Sequence, residues 1–257
     1  MKKLAATLAY FAKFLSAIPE LGLVNTFKLF FLVRIFAKEF LLEFKRNNIK
    51  LSVYLRGRTS DSDIFRTIFI NEEYKLPKKH KPKFILDAGA NIGMSALFFY
   101  FLYPDAIIIA LEPDKNIFKQ LIKNTRGFER IYPTNAALWK NAGLIQFNSE
   151  KSTLGGSVKI SDQNDETFMD VELTIESLTI EKLKEKYNIP YFDFLKIDIE
   201  GAELEVFNED IDLSATNMIA IELHDHKKSG CGEAFFQACS SQKFNYAVSG
   251  ENIIAYK

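Results

Sequence analysis

The sequence predicts an α/β fold in which a parallel β-sheet carries helices on both faces. From Lys83 onward, short apolar runs alternate with segments of helical periodicity, the pattern of strands joined by crossover helices. The first apolar run ends at Asp87 and continues into a glycine-rich turn. Two later apolar runs also end in acidic residues, at Glu112 and Asp198. Ligands of such sheets bind at the carboxyl ends of the strands, so these acids indicate the functional edge.

The elements of this core follow one another between residues 83 and 257. Apolar runs predict strands at 84–87, 107–112, 131–136, 192–198 and 218–223. Helical patterns lie between and after them, at 94–103, 115–124, 179–187, 202–207 and 233–242. Two further pairs of strands are predicted: 144–147 with 171–175 around a polar insertion at 148–170, and 244–248 with 253–256 as a terminal hairpin.

Two segments precede the core. Residues 1–48 are predicted to form a basic, amphipathic helical extension, and residues 49–82 a lead-in segment. The predicted elements are helices at 4–18 and 23–46, a strand at 49–55 and a helix at 64–74. A polar, proline-containing connector at 75–83 marks the boundary before the core.

Charge is distributed unevenly between the extension and the core. The net charge of the chain is zero, but residues 1–50 hold nine Lys or Arg and three Glu, a balance of +6, which leaves −6 for the rest. In the second predicted helix, Phe residues recur mostly at three- and four-residue steps. The extension is therefore expected either to pack on the core or to lie on a membrane surface as an anchor. Charges within it, such as Lys13, argue against a spanning helix.

Composition also limits the partners and the compartment. A chain without net charge offers no general attraction for nucleic acid, so nucleic acid is not expected as a partner. The two cysteines, Cys231 and Cys239, lie eight residues apart in one predicted helix, which argues against a disulfide and favours a reducing compartment. We therefore expect a cytoplasmic protein, peripheral at the inner face of the membrane if the extension is an anchor.

The turn after the first strand of the core carries the first ligand-binding signal. Its residues are Asp87, Gly89, Ala90, Asn91 and Gly93. Their spacing lets the backbone turn sharply and approach a ligand closely. A dinucleotide site needs Gly-x-Gly-x-x-Gly, and the register that starts at Gly89 has glycine at only one of the three positions. A pyrophosphate cradle is therefore disfavoured, whereas S-adenosylmethionine (SAM) has no phosphate and needs no such cradle.

The second and third strands add a pocket for a nucleoside. Glu112, at the end of the second strand, can accept hydrogen bonds from both hydroxyls of a ribose. It follows Asp87 by twenty-five residues, a distance that suits one intervening helix. We expect Asn135, after the third strand, to lie near the adenine, with Pro113 and Ala136 also in the donor pocket.

Acidic and histidine side chains follow the last two parallel strands. Asp198 and Glu200 end one of these strands. Glu222, His224 and His226 end the next, at alternate positions that predict one shared face. Two of the three histidines of the chain lie in this motif. Carboxylates and imidazoles at this edge of the sheet favour a functional site over a purely structural role.

Together these motifs resemble the FkbM-type SAM-dependent methyltransferases. The resemblance rests on FILDAGANIGMSALFF, LEPDKNIFKQLIKNT, FLKIDIEGAELEVF and IELHDH, and runs from about Leu51 to the C-terminus. It implies a class I methyltransferase fold, a seven-stranded sheet in the order 3-2-1-4-5-7-6 with the last strand antiparallel. It also implies O-methylation of a hydroxyl in a sugar, glycan, lipid or natural product, with Asp198 near the methyl group.

Methyl transfer to such a hydroxyl needs assistance, because a neutral hydroxyl is a poor nucleophile. We predict His224 as the general base, with Asp198 and Glu222 orienting it or the acceptor. In a variant, Asp198, Glu200 and Glu222 hold a divalent cation such as Mg²⁺, which prefers oxygen ligands. The sequence leaves both mechanisms open.

Two other classes of function compete with a methyltransferase. A nicotinamide-dependent oxidoreductase would use a similar sheet, but the incomplete glycine register argues against it. A non-catalytic, membrane-associated module built on a methyltransferase-like core is the second alternative. The intact set of Asp87, Glu112 and Asp198 argues against that one.

Overall fold

The computed structural model describes residues 2–46, 49–75, 80–149, 158–161, 173–207 and 211–257. The chain divides into two compact units, one up to Glu73 and one from Tyr74 onward. Residues 49–73, which we predicted as part of a separate lead-in, therefore belong to the same unit as the N-terminal helices.

The N-terminal unit consists of helices packed against a two-stranded hairpin. Its helical segments are α1 (Lys2–Phe27), a π-helical turn (Lys28–Leu32), α2 (Val33–Ile35), α3 (Asp61–Phe65) and a second π-helical turn (Arg66–Ile70). The strands β1 (Glu39–Arg46) and β2 (Ile49–Arg56) pair antiparallel. Gly22 interrupts α1 with a non-helical backbone, φ 75° and ψ 158°, so the predicted break between two helices is confirmed.

The predicted helix at 23–46 is wrong in its second half, because Glu39–Arg46 form β1. Phe40 and Phe44 are four residues apart and so imitate a helical step. However, Phe40, Leu42 and Phe44 also alternate along the chain, and all three are buried. Buried alternate residues of β2 lie directly opposite them. This pairing buries the apolar face of both strands at once, which decides in favour of the hairpin.

The lead-in elements are close to their predicted positions. The strand predicted at 49–55 is confirmed as β2. The helix predicted at 64–74 both begins and ends earlier, at Asp61 and Ile70. The buried carboxylate of Asp61, the first residue of α3, accepts hydrogen bonds of 2.8–3.0 Å from the main chain and guanidinium of Arg56, which connects the start of the helix to the end of β2.

The second unit contains a seven-stranded sheet and a four-stranded sheet. Its strands are β3 (Phe84–Ala88), β4 (Ile107–Leu111), β5 (Ile131–Thr134), β6 (Ala137–Leu138), β7 (Gly143–Ser149), β8 (Val158–Ser161), β9 (Leu173–Leu178), β10 (Phe194–Ile197), β11 (Met218–Glu222), β12 (Asn245–Ser249) and β13 (Asn252–Tyr256). Its helices are α4 (Met94–Leu102), α5 (Lys115–Thr125), α6 (Ile180–Tyr187), α7 (Glu203–Phe207) and α8 (Cys231–Cys239). The predicted core elements are confirmed, with ends shifted by at most three residues.

The seven-stranded sheet has the order β12-β13-β11-β10-β3-β4-β5. The contacts between β5, β4, β3, β10 and β11 are all parallel, and β13 is antiparallel to both of its neighbours. Counted as first to seventh along the chain, the strands run 3-2-1-4-5-7-6 from the β5 edge. The predicted terminal hairpin supplies the antiparallel strand. The carboxyl ends of β3, β4, β10 and β11 therefore meet along one edge.

Helices cover both faces of this sheet. On one face the strands pack on α6, α7 and α8 through a buried cluster that includes Leu86, Ile197, Leu183, Phe207 and Phe235. On the other face, the rings of Phe99 in α4 and Phe194 in β10 lie 4.9 Å apart, edge to face. Because side chains alternate along a strand, Lys196 shares this second face with Phe194.

The four-stranded sheet has the order β6-β9-β7-β8 and follows the third strand of the core. The predicted pairing of residues 144–147 with 171–175 is confirmed over the described part, with Ile145 opposite Ile175. Trp139 packs into a small buried cluster with these two isoleucines. Most of the insertion predicted at 148–170, which we expected to shape the acceptor pocket, lies outside the described residues.

Candidate functional site

The glycine-rich turn lies directly against the end of β10. Gly89 has φ 78°, a backbone conformation that favours glycine, and a Cβ at this position would overlap the carbonyl oxygen of Asp198. The N–H groups of Gly89 and Ala90 both donate to the carbonyl of Leu111, at 3.1 and 2.8 Å. The turn is thereby held between the ends of β4 and β10, so two predicted site residues, Gly89 and Asp198, are neighbours.

The far side of the turn begins helix α4. Gly93 caps this helix with φ 88°, and a Cβ there would lie 2.7 Å from a methyl carbon of Leu121. Asn91 also has a positive φ, of 50°. The side-chain amide of Asn124 in α5 donates to the carbonyl of Ile92 at 2.9 Å. Contacts from α5 therefore define the path of the turn.

A buried lysine of β10 contacts the main chain of the glycine-rich turn. The Lys196 ammonium donates to the carbonyl of Gly89 at 2.8 Å and lies 3.4 Å from Asp87 and 3.6 Å from Asp198. Asp87, which is fully buried, also accepts a hydrogen bond of 2.6 Å from Ser95. Burial lowers the pKa of Lys196, but Tyr74, Asp87 and Asp198 raise it by more, so the lysine carries its charge.

Lys196 is a site residue that the sequence patterns did not predict. The signal was present, because a single charged residue within Phe-Leu-Lys-Ile needs a buried partner of opposite charge. The structure shows that this partner is Asp87 of the neighbouring strand β3. Strands β3 and β10 place Asp87 directly beside Lys196 in the sheet register.

The predicted ribose-binding acid lies buried at the end of β4. Burial raises the pKa of the Glu112 carboxyl to about 8, while the main-chain N–H groups of Asp114 and Asn91 oppose that shift. The Asp114 hydrogen bond is 2.8 Å long. Asn135 donates its side-chain amide to the carbonyls of Glu112 and Pro113, at 2.8 and 2.9 Å. Asn135 therefore joins the ends of β4 and β5.

Ala136, also predicted for the donor pocket, follows Asn135 just beyond the end of β5. Its side chain is fully buried and belongs to the main core cluster. It packs there with Leu138 and Leu178 on the side of the four-stranded sheet.

An imidazole surrounded by carboxylates occupies the ends of β10 and β11. The Nε2 atom of His224 lies 3.3 Å from Glu222, 3.4 Å from Glu200 and 3.9 Å from Asp198. Its Nδ1 atom lies 2.9 Å from a carboxylate oxygen of Glu203. His224 and Glu203 are buried, whereas the other three carboxylates are each 27–29% exposed. The predicted group of Asp198, Glu222 and His224 is thus brought together.

Glu203 was missed as a site residue. Its carboxylate also lies within 3.3 and 3.4 Å of the main-chain N–H groups of Gly201 and Ile199, and so fixes the loop that follows β10. It acts on the site through His224 and is therefore a positioning residue. The motif Glu-Gly-Ala-Glu contains it, but its partner is twenty-one residues away, so no local pattern could reveal the pairing.

The electrostatics of this cluster differ from the sequence-based expectation. Burial alone would lower the pKa of His224, but the contacts with Glu203 and Glu222 raise it to about 10. The imidazole is therefore cationic at neutral pH. Burial raises the pKa of Asp198 to about 6, with Lys196 opposing and Glu222 adding to that shift. Near neutral pH, Asp198 is the ionised group whose proton affinity exceeds that of an ordinary carboxylate.

Three groups could together ligate a cation. Asp198, Glu200 and His224 each offer one ligand atom, and these atoms lie within 4.8 Å of one another. This set contains His224, whereas the predicted oxygen set contained Glu222 in that place. Glu200 is also paired with Lys227. His226 is exposed, and its ring lies 5.7 Å from that of His224.

Known proteins are similar in sequence to the part of the chain that contains this site. The model of the methyltransferase FkbM domain matches residues 87–247. Methyltransferase sdnD of Sordaria araneosa is 28% identical over 185 residues, which cover 61% of this chain and 71% of that protein. Hexuronic acid methyltransferase AglP of Haloferax volcanii is 25% identical over 172 residues, which cover 66% of this chain and 65% of that protein.

A solved structure shows a weaker likeness. Aeropyrum pernix fibrillarin in complex with S-adenosyl-L-methionine has a TM-score of 0.42 and 13% sequence identity, over 84% of this chain and 81% of that one.

The family match covers well over half of the chain. It begins at Asp87, in the first strand of the central sheet, and ends at Ala247, in β12. It therefore spans the glycine-rich turn, Glu112 and the whole cluster around His224. This chain belongs to the FkbM family of methyltransferases.

Proposed function

We propose that this methyltransferase transfers the methyl group of SAM to a hydroxyl of a sugar, glycan, lipid or natural product. One observation carries the proposal. The glycine-rich turn and the cluster of carboxylates meet at Asp198, whose carbonyl oxygen leaves room only for glycine at position 89. A donor bound at the turn and an acceptor bound at the cluster would therefore be adjacent, as in-line transfer requires.

The residues of the turn suit SAM by the chemistry of their donors and acceptors. Glu112 offers a carboxylate to the two ribose hydroxyls, and Asn135 and Pro113 border that position. The carboxylates of Asp198, Glu200 and Glu222 would attract a sulfonium cation. SAM would supply a methyl group bonded to positively charged sulfur. The acceptor oxygen would attack the methyl carbon, and the carbon–sulfur bond would break to release S-adenosylhomocysteine. Asp87, Gly89, Ala90, Asn91 and Gly93 hold the backbone that would border it.

The acceptor hydroxyl must lose its proton during transfer, and we propose Asp198 as the acceptor of that proton. His224 was the base expected from the sequence, but a cationic imidazole has no lone pair to offer at neutral pH. Asp198 is partly exposed, ionised near neutral pH and adjacent to the turn. In this arrangement Glu222 binds or orients the acceptor, and His224 holds the carboxylates in place.

A divalent cation is the second form of assistance that we propose to test. The ligand set of Asp198, Glu200 and His224 includes an imidazole, whereas Mg²⁺ prefers oxygen ligands only. The fit to Mg²⁺ is therefore poorer than that of the predicted set. A bound cation would activate the acceptor oxygen as a Lewis acid. Full activity after dialysis against a chelator would exclude it, and activity lost to the chelator and restored by Mg²⁺ would establish it.

Two measurements test the donor and the acceptor separately. Calorimetry of the full chain with SAM and with NAD should give binding of SAM alone, and absence of SAM binding would overturn the proposal. Methyl transfer from labelled SAM to glycan and lipid extracts should then identify the acceptor by mass spectrometry. Sugar-containing acceptors come first, because one relative is named a hexuronic acid methyltransferase.

The position of the label decides whether the product is an ether. A methyl ether formed on a hydroxyl resists mild alkali, whereas a methyl ester on a carboxyl group is cleaved. An alkali-stable label on carbon-bound oxygen would support O-methylation of a hydroxyl. An alkali-labile label, or a label on nitrogen, would contradict it and leave only the methyltransferase activity.

A further inference from the structure

The helices of the N-terminal unit carry apolar side chains on two sides. One side is buried in the unit, as at Leu21 and Phe30. The opposite side is also apolar, although surface helices normally expose polar residues there. We define the apolar face by its large side chains, each 39–70% exposed: Phe11, Leu15, Val24, Phe27, Phe31 and Ile35.

Aromatic contacts make this face continuous. The ring centroids of Phe11 and Phe14 lie 6.2 Å apart, those of Phe14 and Phe31 lie 5.6 Å apart, and those of Phe27 and Phe31 lie 5.1 Å apart. Single exposed apolar residues are normal on protein surfaces, whereas a connected group of them marks an interaction site. The phenylalanine rings of the apolar face form such a connected group.

The helical segment Phe11–Ile35 has the length and the apolar composition of a membrane-spanning helix, but it is folded back on itself. Phe11–Ile35 is the one such candidate within the described residues. In a straight helix, Phe14 and Phe31 would be about 25 Å apart along the axis, because the rise is about 1.5 Å per residue. Their rings are in contact instead, and Gly22 supplies the break. The half before Gly22 begins at Lys2 and is about 30 Å long, but it carries Lys13 near its middle, which disfavours a span. The half after Gly22, up to Ile35, is only about 20 Å long, less than the roughly 30 Å of a bilayer core.

Polar contacts attach the buried side of these helices to the hairpin. Arg46 in β1 forms an ion pair of 3.0 Å with Glu20. Asn25 donates to the carbonyl of Glu43 at 2.6 Å, and Lys28 donates to the carbonyl of Leu41 at 3.2 Å. Lipid therefore cannot surround the helices, and the apolar face is the side on which they can contact a partner.

The charge of this region selects the partner. Residues 1–50 carry a balance of +6, in a chain whose total is zero. Lys13, Lys38 and Lys45 are exposed. Apolar and aromatic residues flanked by lysine are the combination by which a helix lies in the interface of an anionic membrane. We propose that the apolar face docks the protein on an anionic phospholipid surface, with the helices in the plane of the bilayer.

Flotation of the full chain with vesicles tests this proposal. Vesicles of phosphatidylcholine with phosphatidylglycerol should carry the protein upward, and binding should weaken as salt is raised, because salt screens the lysines. The variant Phe27→Ser/Phe31→Ser should lower the partition coefficient by roughly tenfold to a hundredfold. Each serine gives up the free energy that a partly exposed phenylalanine ring would gain by moving from water into lipid. The matched control, Leu144→Ser/Val248→Ser, changes two exposed apolar side chains of the second unit and should float like the unaltered chain.

Three results would overturn the proposal. The first is a full chain that stays at the bottom of the gradient with anionic vesicles. The second is equal flotation of both double variants. The third is resistance of the bound protein to alkaline carbonate extraction, which removes proteins held in the interface but leaves spanning ones. Sedimentation without lipid checks the rival occupant: a dimer that Phe27→Ser/Phe31→Ser dissociates, with no flotation, would assign the face to a second copy.

Discussion

The two halves of the site at the sheet edge are built differently. The proposed donor half lies at the ends of β3 and β4 and is formed mainly by the main chain of the glycine-rich turn. The buried charges of Asp87 and Lys196 beside it neutralise each other. On the acceptor half, at the ends of β10 and β11, three partly exposed carboxylates surround one imidazole. A ligand recognised by backbone shape constrains the fold itself, whereas a ligand recognised by exposed side chains can change without refolding. A substitution in the proposed donor half is therefore expected to disturb the fold, whereas one in the proposed acceptor half is expected to change binding or catalysis alone.

The sharpest test of the acceptor half is Asp198→Asn. Loss of the proposed base should lower the rate of methyl transfer by about 10²–10⁴-fold, because asparagine has the same shape but accepts no proton. SAM binding should weaken much less, because Glu200 and Glu222 still attract the sulfonium. In the unaltered enzyme the rate should fall as the pH drops below about 6, since protonation removes the base. Initial rates across pH measure both effects.

The matched control for that substitution is Asp212→Asn, which changes an exposed acid outside the site. It should retain the full rate and the same pH profile. A rate for Asp198→Asn within a few-fold of the unaltered enzyme would assign the base to another group, with His224 next in line.

Breaking the charge pair beneath the donor half should chiefly reduce stability. Lys196→Met leaves the Asp87 carboxylate buried without its partner, which typically costs about 3–5 kcal/mol. Denaturant unfolding measures the loss. Adding Asp87→Asn removes the uncompensated charge and should recover part of it. If the double variant is no more stable than Lys196→Met alone, Lys196 does not stabilise the fold through its ion pair with Asp87.

The fit of the donor turn against β10 can be separated from backbone strain by two glycine substitutions. Gly89→Ala should cost about 2–5 kcal/mol, the sum of overpacking against Asp198 and a left-handed backbone, and should remove SAM binding. Gly127→Ala has a similar positive φ but open space around it, so it should cost only the backbone part, about 1–2 kcal/mol. Thermal unfolding and SAM calorimetry that show equal losses for both would contradict the close approach.

The smallest effect is expected for Glu112→Gln. A ribose that hydrogen-bonds the carboxylate favours its ionised form, so SAM binding should release a proton and strengthen as the pH rises toward about 8. The glutamine variant should lose this pH dependence and bind roughly tenfold more weakly at alkaline pH, the value of one charge-assisted hydrogen bond. Glu129→Gln, an exposed acid, is the control for calorimetry over the same range. A pH-dependent affinity in the Glu112→Gln protein would place the titrating group elsewhere.

Sequence patterns predicted the donor half more fully than the acceptor half. The turn from Asp87 to Gly93 is a contiguous motif, and Glu112 follows at the end of the next strand, so local patterns were sufficient to locate these residues at the sheet edge. Their contact with SAM stays a prediction. The acceptor side chains were also located, because the carboxyl ends of parallel strands share an edge. Their charge states were not, since the imidazole is cationic only because Glu203 and Glu222 both contact it.

In the N-terminal unit, the sequence patterns predicted one element with the wrong secondary structure. Its helical break and its exposed aromatic residues were expected, but the residues from Glu39 to Arg46 fit both a helix and a strand in their periodicity. The choice depended on β2, a partner that a single segment does not reveal.

The sequence by itself determined the order of strands and helices around the seven-stranded sheet, the glycine-rich turn and the family of the chain, because these are properties of consecutive residues. Only the tertiary structure decided that Lys196 neutralises Asp87, that Glu203 holds His224, and that Asp198 closes against Gly89. These contacts join residues 21 to 109 positions apart. Burial and the approach of distant charges determine their protonation, and neither can be read from a local pattern.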